Sequence, residues 1–163
     1  MKNKIRGQAR AVLAIAAAMV ATVGIASPAN AAPADTTCYL NVDTGGYYCE
    51  EAQSFGNAAP SDAQMSASSI YTYAKLFEDS QYRGDALYIT GYLAEGCSGG
   101  YSKSGNLPGD WNDRVSSFYS YLGCRVKLYQ HSGLTGSTYG PYTYSSWVGS
   151  SFNDQASSYV LMD

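Results

Sequence analysis

The sequence predicts an all-β domain made of two similar units. Sixteen tyrosines and seventeen glycines are spread over short segments in which aromatic and β-branched residues alternate with turn formers. After residue 31 no stretch shows sustained helical periodicity. A polar signature, N-D-x-x-S-S flanked by aromatics, occurs twice, in residues 111–118 (WNDRVSSF) and 152–159 (FNDQASSY). A duplicated signature indicates a repeated structural unit.

Residues 1–31 have the pattern of a secretory signal peptide. Four basic residues lie among the first ten, an uncharged and largely apolar run follows over 11–26, and Ala29-Asn30-Ala31 forms a small-x-small cleavage site. The run is shorter than the roughly 20 residues that a bilayer requires. We therefore expect a secreted, extracellular protein with no membrane association after the leader is cleaved.

The remaining chain is acidic. The leader holds four of the ten basic residues and none of the thirteen acids, so six basic and thirteen acidic residues remain, a net charge of −7 with histidine neutral. This charge repels phosphate backbones, and no basic stripe is present, so we expect no nucleic-acid binding. Cations are the more natural partners.

Four cysteines follow the leader, at spacings that match no zinc pattern. In an oxidising compartment two disulfides are the expected use, and three connectivities are possible. We favour Cys38 with Cys49, which would staple a hairpin, and Cys97 with Cys124, which would tie down a long loop. Each bridge should contribute about 3 kcal/mol.

The N-terminal part of the mature chain differs from the rest. Residues 38–42 and 47–49 predict two strands joined by the turn D-T-G-G. Residues 54–69 are rich in Ala, Ser, Gly, Asn and Pro, which is typical of a linker. We therefore expect residues 32–69 to form a hairpin and linker, an appendage outside the repeat. The alternative is a disordered or pro-segment.

The repeat extends over residues 70–163, with units of about 70–123 and 124–163. The signature aromatics Phe77 and Tyr129 lie 52 residues apart, but the two copies of N-D-x-x-S-S lie only 41 apart. About eleven extra residues therefore belong to the first unit, and we expect them within the Gly- and Ser-rich loop 93–105. Strands are predicted at residues 70–77, 85–92, 115–122, 125–129 and 157–162.

A second repeated element precedes each signature, in residues 76–84 (LFEDSQYRG) and 128–136 (LYQHSGLTG). The two elements together resemble the βγ-crystallins and their microbial relatives, whose unit opens with a hairpin marked aromatic-x4-aromatic-x-Gly. The matching residues are Phe77, Tyr82 and Gly84 in the first copy and Tyr129, Leu134 and Gly136 in the second, with leucine for the second aromatic. The resemblance implies a double Greek-key sandwich over residues 70–163.

The resemblance also implies two calcium ions. In calcium-binding members each ion is shared: one signature gives the hydroxyl at its fifth position, and the other gives an acidic or amide side chain and carbonyls. Such hard oxygen ligands suit Ca²⁺. The implied ligand residues are Glu78 (carbonyl), Asn112, Asp113, Arg114 (carbonyl), Ser116, Gln130 (carbonyl), Asn153, Asp154, Gln155 (carbonyl) and Ser157. Ser117 and Ser158 are expected to brace the opening hairpins.

Three other interpretations compete with a non-enzymatic calcium-binding module. Asn and Asp in the signatures could simply shape turns. Secreted metalloprotease inhibitors and killer-toxin-like effectors resemble this fold, and loop 93–105 could enter the cleft of a protease. Against this interpretation, those inhibitors usually begin with C-x4-C, whereas Cys38 and Cys49 are farther apart. Residues 96–100 (GCSGG) match the hydrolase motif G-x-S-x-G but lack its strand-to-helix context, and the single histidine, His131, lies in the second hairpin, so we expect no catalysis.

Overall fold

The computed structural model describes residues 35–51 and 69–163. The predicted leader and nearly all of the predicted linker lie outside the described residues. The described elements are β1 (Thr36–Asn41), β2 (Tyr47–Glu51), β3 (Tyr71–Asp79), β4 (Arg83–Gly91), β5 (Lys103–Asn106), β6 (Ser117–Ser120), β7 (Arg125–His131), β8 (Thr135–Tyr142), β9 (Tyr144–Ser145), β10 (Ser158–Met162) and a 3₁₀ turn at Ser80–Tyr82. Among these residues no helix is long and apolar enough to cross a membrane.

The strands form two sheets. One has six strands in the order β2-β1-β4-β3-β6-β9, and the other has four in the order β5-β10-β7-β8. The first unit places β3, β4 and β6 in the larger sheet and β5 in the smaller, whereas the second unit places β7, β8 and β10 in the smaller sheet and β9 in the larger. Each unit therefore gives its third strand to the other unit's sheet. The predicted all-β double Greek-key sandwich is confirmed.

One hydrophobic core lies between the two sheets. Successive strand residues alternate in burial, as Ala74, Lys75 and Leu76 show, because side chains point to opposite faces of a sheet. Trp111, at the start of the first signature, is fully buried and anchors that loop in the core. Fully buried aliphatic side chains of the core include Leu76, Leu87 and Ile89 from the larger sheet and Val126, Leu128 and Leu161 from the smaller.

The N-terminal hairpin has the predicted turn, but it is not an appendage. Strand β1 pairs with β2 and also runs parallel to β4, with Thr37 opposite Ala86 and Leu40 opposite Ile89. Leu40 joins the hydrophobic core. The expectation of a separate hairpin is therefore wrong: β1 and β2 extend the larger sheet by two strands. The domain boundary near residue 70 stays a prediction.

Most predicted strands have counterparts in the structure, but three strands were missed. The segment 115–122 contains only the four-residue β6, because the polar signature occupies the residues before it. Strand β5 lies at the end of the expected loop 93–105, and β8 and β9 lie in Ser-, Gly- and Tyr-rich sequence. Edge strand β8 is mostly exposed, so its sequence lacks the hydrophobic alternation that identifies a strand.

The favoured disulfide connectivity is confirmed. Cys38 and Cys49 face each other across β1 and β2, and their Cα atoms are 3.9 Å apart. Cys97 and Cys124, whose Cα atoms are 4.8 Å apart, join the inserted loop to the residue that precedes β7. Both sulfurs of this second bridge belong to buried residues. The insertion is thereby anchored in the core.

Candidate metal centre

The two polar signatures adopt the same local structure. Asp113 and Asp154 both have left-handed backbone conformations, with φ of 58° and 55°. Asp is among the few residues that accept this conformation readily. Asn112 Nδ2 donates to Asp113 Oδ2 at 2.7 Å, and Asn153 Nδ2 donates to Asp154 Oδ2 at 2.6 Å. In each loop the asparagine therefore fixes the orientation of the following carboxylate.

The two loops also contact each other. The backbone amide of Asp113 donates to the carbonyl of Ala156 at 2.9 Å, and that of Asp154 lies 3.4 Å from the carbonyl of Val115. The hydroxyl of Ser116 donates to Asp154 Oδ1 at 3.3 Å. The fifth position of the first signature and the acid of the second are thus brought together.

Each fifth-position serine is also held against the opening hairpin of its own unit. The amide of Ser116 donates to the carbonyl of Phe77, and that of Ser157 to the carbonyl of Tyr129, both at 2.9 Å. These bonds place Glu78 and Gln130, which follow the two aromatics, beside the serines. The hydroxyl of Ser157 donates to the carbonyl of Gln130 at 2.7 Å. This hydroxyl is directed to Gln130 rather than to Asp113.

The next serine in each signature braces the hairpin. Ser117 Oγ donates to the carbonyl of Asp79 at 2.6 Å and accepts from the amide of Tyr82 at 3.1 Å. In the second unit Ser158 Oγ makes the same pair of bonds, to the carbonyl of His131 at 2.6 Å and from the amide of Leu134 at 3.1 Å. Both serines are fully buried, so these bonds replace water at the hairpin backbone.

The motif glycines permit the folded hairpins. Gly84 and Gly136 have φ of +74° and +80°, a region that other residues resist. A Cβ at Gly136 would also lie 2.7 Å from a ring carbon of His131. The backbone conformation at both positions therefore explains why glycine ends each aromatic-x4-aromatic-x-Gly element.

Oxygen atoms from both loops converge on an open cleft of about 820 Å³. Its lining residues are Glu78, Asp79, Ser80, Asp113, Arg114, Ser116, Trp147, Ser150, Asn153 and Asp154. Carboxylates, hydroxyls and carbonyls are the ligands that Ca²⁺ prefers, and the cleft presents no thiol or imidazole that would favour zinc or copper. Within the described residues, one group of three His, Cys, Asp or Glu side chains lies close enough together to bind a metal ion. It consists of Asp110, Cys38 and Cys49, but the two sulfurs are bonded to each other in a disulfide and cannot serve as ligands. The donor chemistry of the cleft therefore fits calcium.

Arg114 has a second role that the sequence did not reveal. Its guanidinium lies 2.8 Å from Glu78 Oε1 and 2.9 Å from Asp85 Oδ2, and it donates to the carbonyl of Asp110 at 3.0 Å. Burial is the largest influence on the pKa of Arg114 and lowers it, yet the hydrogen bonds to Glu78 and Asp85 outweigh burial and raise that pKa. The side chain of Glu78, a lining residue of the cleft, is therefore held by Arg114.

The second unit has an uncharged version of this pair. Gln130 Nε2 donates to Gln155 Oε1 at 3.4 Å, at the positions that correspond to Glu78 and Arg114. The two loops are therefore alike in backbone but different in the charge that surrounds them.

The N-terminal hairpin contacts the same network. Tyr47 Oη donates to Asp110 Oδ2 at 2.5 Å, and the amide of Thr36 donates to Asp85 Oδ1 at 2.7 Å. Burial, together with the hydrogen bond to Asp110, raises the pKa of Tyr47. The backbone carbonyl of Asp110 and the carboxylate of Asp85 also accept from Arg114, so the hairpin supports the first signature.

Trp147 lies at the rim of the cleft. Its indole Nε1 donates to Asn153 Oδ1 at 3.3 Å, and half of the side chain is exposed. Trp147 and Asp85 lie far from the first signature in sequence, and only the folded chain brings them to the loops.

The strand order and the contact between the two signature loops define the class of this protein. It is an all-β double Greek-key sandwich with two paired, oxygen-lined loops. No protein-family model and no curated protein matches the chain.

Several solved structures are similar to it. A βγ-crystallin domain from Clostridium beijerinckii shares 20% identity over 55% of this chain and 97% of that chain, with a TM-score of 0.44. A βγ-crystallin domain from Flavobacterium johnsoniae shares 22% identity over 55% of this chain and 93% of that chain, with a TM-score of 0.41. A clostrillin double mutant in complex with nickel shares 19% identity over 57% of this chain and all of that chain, with a TM-score of 0.45. The βγ-crystallin domains among them belong to the family that the two repeated elements resemble; at these identities the likeness concerns the fold alone.

Proposed function

We propose that this protein is a secreted, non-enzymatic calcium-binding module of the βγ-crystallin type, stabilised by two Ca²⁺ ions shared between its paired loops. The observation that carries the proposal is the contact between Ser116 Oγ and Asp154 Oδ1, 3.3 Å apart, which joins the fifth position of one signature to the acid of the other.

Each ion would have ligands from both signatures. The first would be held by the carbonyl of Glu78, the hydroxyl of Ser116, the carboxylate of Asp154 and the carbonyl of Gln155. The second would be held by the carbonyl of Gln130, the hydroxyl of Ser157, the carboxylate of Asp113 and the carbonyl of Arg114. Asn112 and Asn153 would orient the two carboxylates, through the hydrogen bonds that they already make.

The function would be thermodynamic. An ion that binds the folded chain and not the unfolded chain stabilises the fold, by about 2.7 kcal/mol at a hundredfold excess over the Kd. Each ligand set contains a single carboxylate, so we expect modest affinity, about 10⁻⁴ to 10⁻³ M, as for other extracellular modules. Millimolar calcium outside the cell lies at or above this Kd and would occupy about half or more of each site.

Secretion is supported by two features. The first 31 residues have the charge and hydropathy pattern of a cleaved leader. The two disulfides require an oxidising compartment to persist.

The test is calorimetric titration of Ca²⁺ into the metal-free mature protein. We expect two ions per chain, a much weaker response to Mg²⁺, and loss of one ion in Asp154→Asn. Heat identical to buffer dilution at protein concentrations suited to millimolar affinity would refute the proposal.

One observation favours a second candidate, a metalloprotease inhibitor or killer-toxin-like effector. Residues 98–102 are exposed, with Tyr101 half exposed, while the neighbouring Cys97 is buried and bonded to Cys124. An exposed segment on a rigid base suits insertion into a protease cleft. Stoichiometric inhibition of a thermolysin-like protease at fixed calcium, lost in Tyr101→Ala and retained in Asp154→Asn, would favour this candidate over the calcium module.

A further inference from the structure

Trp147 and its two neighbours along the chain join the two units beside the cleft. The carbonyl of Ser146 accepts from the amide of Gln81 at 2.8 Å, and the amide of Val148 donates to the carbonyl of Ser116 at 3.0 Å. The first bond reaches the opening hairpin of the first unit, and the second reaches the fifth position of the first signature. The backbone around Trp147 is therefore fixed against the first unit, although it belongs to the second.

The indole of Trp147 extends this connection to the second signature. Nε1 of Trp147 donates to Asn153 Oδ1 at 3.3 Å, and Asn153 Nδ2 donates to Asp154 Oδ2 at 2.6 Å. The other carboxylate oxygen, Asp154 Oδ1, accepts from Ser116. Because an amide group is planar, a donor on its oxygen also fixes the direction of its NH₂ group. The carboxylate of Asp154 is thus held at both oxygens, and the indole supports one of the two contacts.

The backbone of Trp147 is itself held in place. Ser145 Oγ donates to the carbonyl of Trp147 at 2.9 Å, and it lies 2.9 Å from Tyr139 Oη. Ser145 and Val148, on either side of Trp147, are buried, whereas half of the indole is exposed. The contribution of the indole is therefore its directed N–H group rather than the burial of its ring.

The first signature has a different residue at the corresponding place. The amide of Leu107 donates to the fifth-position serine of the second signature at 2.9 Å, as the amide of Val148 does to that of the first. Each of the two residues lies five positions before the asparagine of its own signature. Trp147 therefore corresponds to Asn106, whose Oδ1 accepts from the amide of Gly133 in the opening hairpin of the second unit. Only the second signature has an indole at this place.

We propose that Trp147 is a positioning residue of the calcium site at Ser116 and Asp154. This inference rests on the calcium-binding function proposed above. By fixing the amide of Asn153, the indole N–H holds the carboxylate of Asp154 in place before an ion arrives, so that less ordering accompanies binding. The other calcium site has no indole at the corresponding place, so Trp147 acts on one site of the two.

The test is calorimetric titration of Ca²⁺ in two backgrounds that each keep one site. Asp113→Asn keeps the site at Ser116, and Asp154→Asn keeps the site at Ser157. Adding Trp147→Phe removes the N–H group and retains an aromatic ring. In the Asp113→Asn background we expect the Kd to rise about two- to tenfold, as for the loss of one hydrogen bond. In the Asp154→Asn background the Kd should stay the same.

Trp147→His separates the hydrogen bond from a general loss of structure. When the five-membered rings of the two side chains are superimposed, Nε2 of histidine takes the place of Nε1 of tryptophan. At about pH 8 the neutral imidazole donates from Nε2 in one of its tautomers, so this variant should recover most of the affinity that Trp147→Phe loses. Because the indole is half exposed, wild type and both variants should melt at the same temperature in EDTA. Tyr142→Phe, at an equally exposed aromatic residue, is the matched control and should bind calcium as wild type does.

The outcomes separate this inference from the calcium function itself. An unchanged Kd in the Asp113→Asn background, or an equal rise in both backgrounds, would overturn the role of Trp147 and leave the calcium function standing. Binding as weak in Trp147→His as in Trp147→Phe would overturn the role of the N–H group. If wild-type protein binds no calcium, the function proposed above is wrong and this inference falls with it.

Discussion

Ser116 and Asp154 are 38 residues apart in the chain, yet the hydroxyl of Ser116 donates to the carboxylate of Asp154 at 3.3 Å. One residue belongs to the first Greek key and the other to the second. The contact therefore joins the two units at the place where their signatures cross. A cation bound there would hold both loops, which is why its effect should be on the whole domain.

The first prediction concerns Asp154→Asn. Asn tolerates the left-handed backbone at this position, so the substitution removes charge without adding strain. We expect the number of calcium ions bound in a calorimetric titration to fall from two to one, with little change in stability in EDTA. Glu95→Gln, an exposed acid in the inserted loop, is the control and should still bind two ions. Two ions in Asp154→Asn would exclude this carboxylate as a ligand.

The second prediction concerns Ser117→Ala, which removes a buried brace. The amide of Tyr82 and the carbonyl of Asp79 would lose their partner. Leaving buried polar groups unpaired costs about 1–3 kcal/mol, so the midpoint of urea denaturation should fall accordingly. Ser102→Ala, at an exposed position, should leave the midpoint unchanged. Equal midpoints for the two variants would show that the brace contributes nothing.

The third prediction concerns Arg114→Gln, which gives the first loop the residue of the second. Glu78 and Asp85 would lose their ion pairs, but all three side chains are a quarter or more exposed, so solvent screening limits the loss to about 1 kcal/mol or less. The larger effect should be on metal: freed from its partner, the carboxylate of Glu78 adds negative charge to the cleft. We expect the calcium affinity of the site at Ser116 to rise at low ionic strength. A lower affinity would mean that Arg114 mainly positions the Glu78 carbonyl.

The fourth prediction is a pH dependence at the hairpin turn. Asp43 accepts from Lys103 Nζ at 2.6 Å and from the amide of Tyr92 at 2.8 Å, and these bonds lower its pKa below the ordinary 3.8. A carboxyl group whose pKa is lower in the folded state than in the unfolded state stabilises the fold at a pH above its unfolded-state pKa. This stabilisation is lost as the pH falls through the folded-state pKa. The free energy of unfolding should therefore decline below about pH 4. Asp43→Asn should reduce this decline by about 1 kcal/mol or less, in urea denaturation at pH 2.5 to 6. An unchanged pH profile in the variant would contradict the prediction.

Local patterns predicted much of the fold. The duplicated signatures located both crossed loops, and the D-T-G-G turn located the hairpin between β1 and β2. The parallel pairing of β1 with β4 could not be predicted, because its partners are about fifty residues apart and no local pattern encodes their contact. Strand β8 was missed because an exposed edge strand needs no apolar alternation. The ion pair between Arg114 and Asp85 was missed because a charge pair between a loop and a strand far away in sequence leaves no signature in the sequence.

Thermal denaturation of the mature protein in EDTA and in millimolar calcium tests the central claim most directly, with magnesium at the same concentration as the control. Two ions that bind only the folded state should raise the melting temperature by several degrees in calcium, with a much smaller rise in magnesium. The increase should grow with the logarithm of calcium concentration above the Kd and be reduced in Asp154→Asn. Superimposable melting curves in EDTA and calcium would contradict the account.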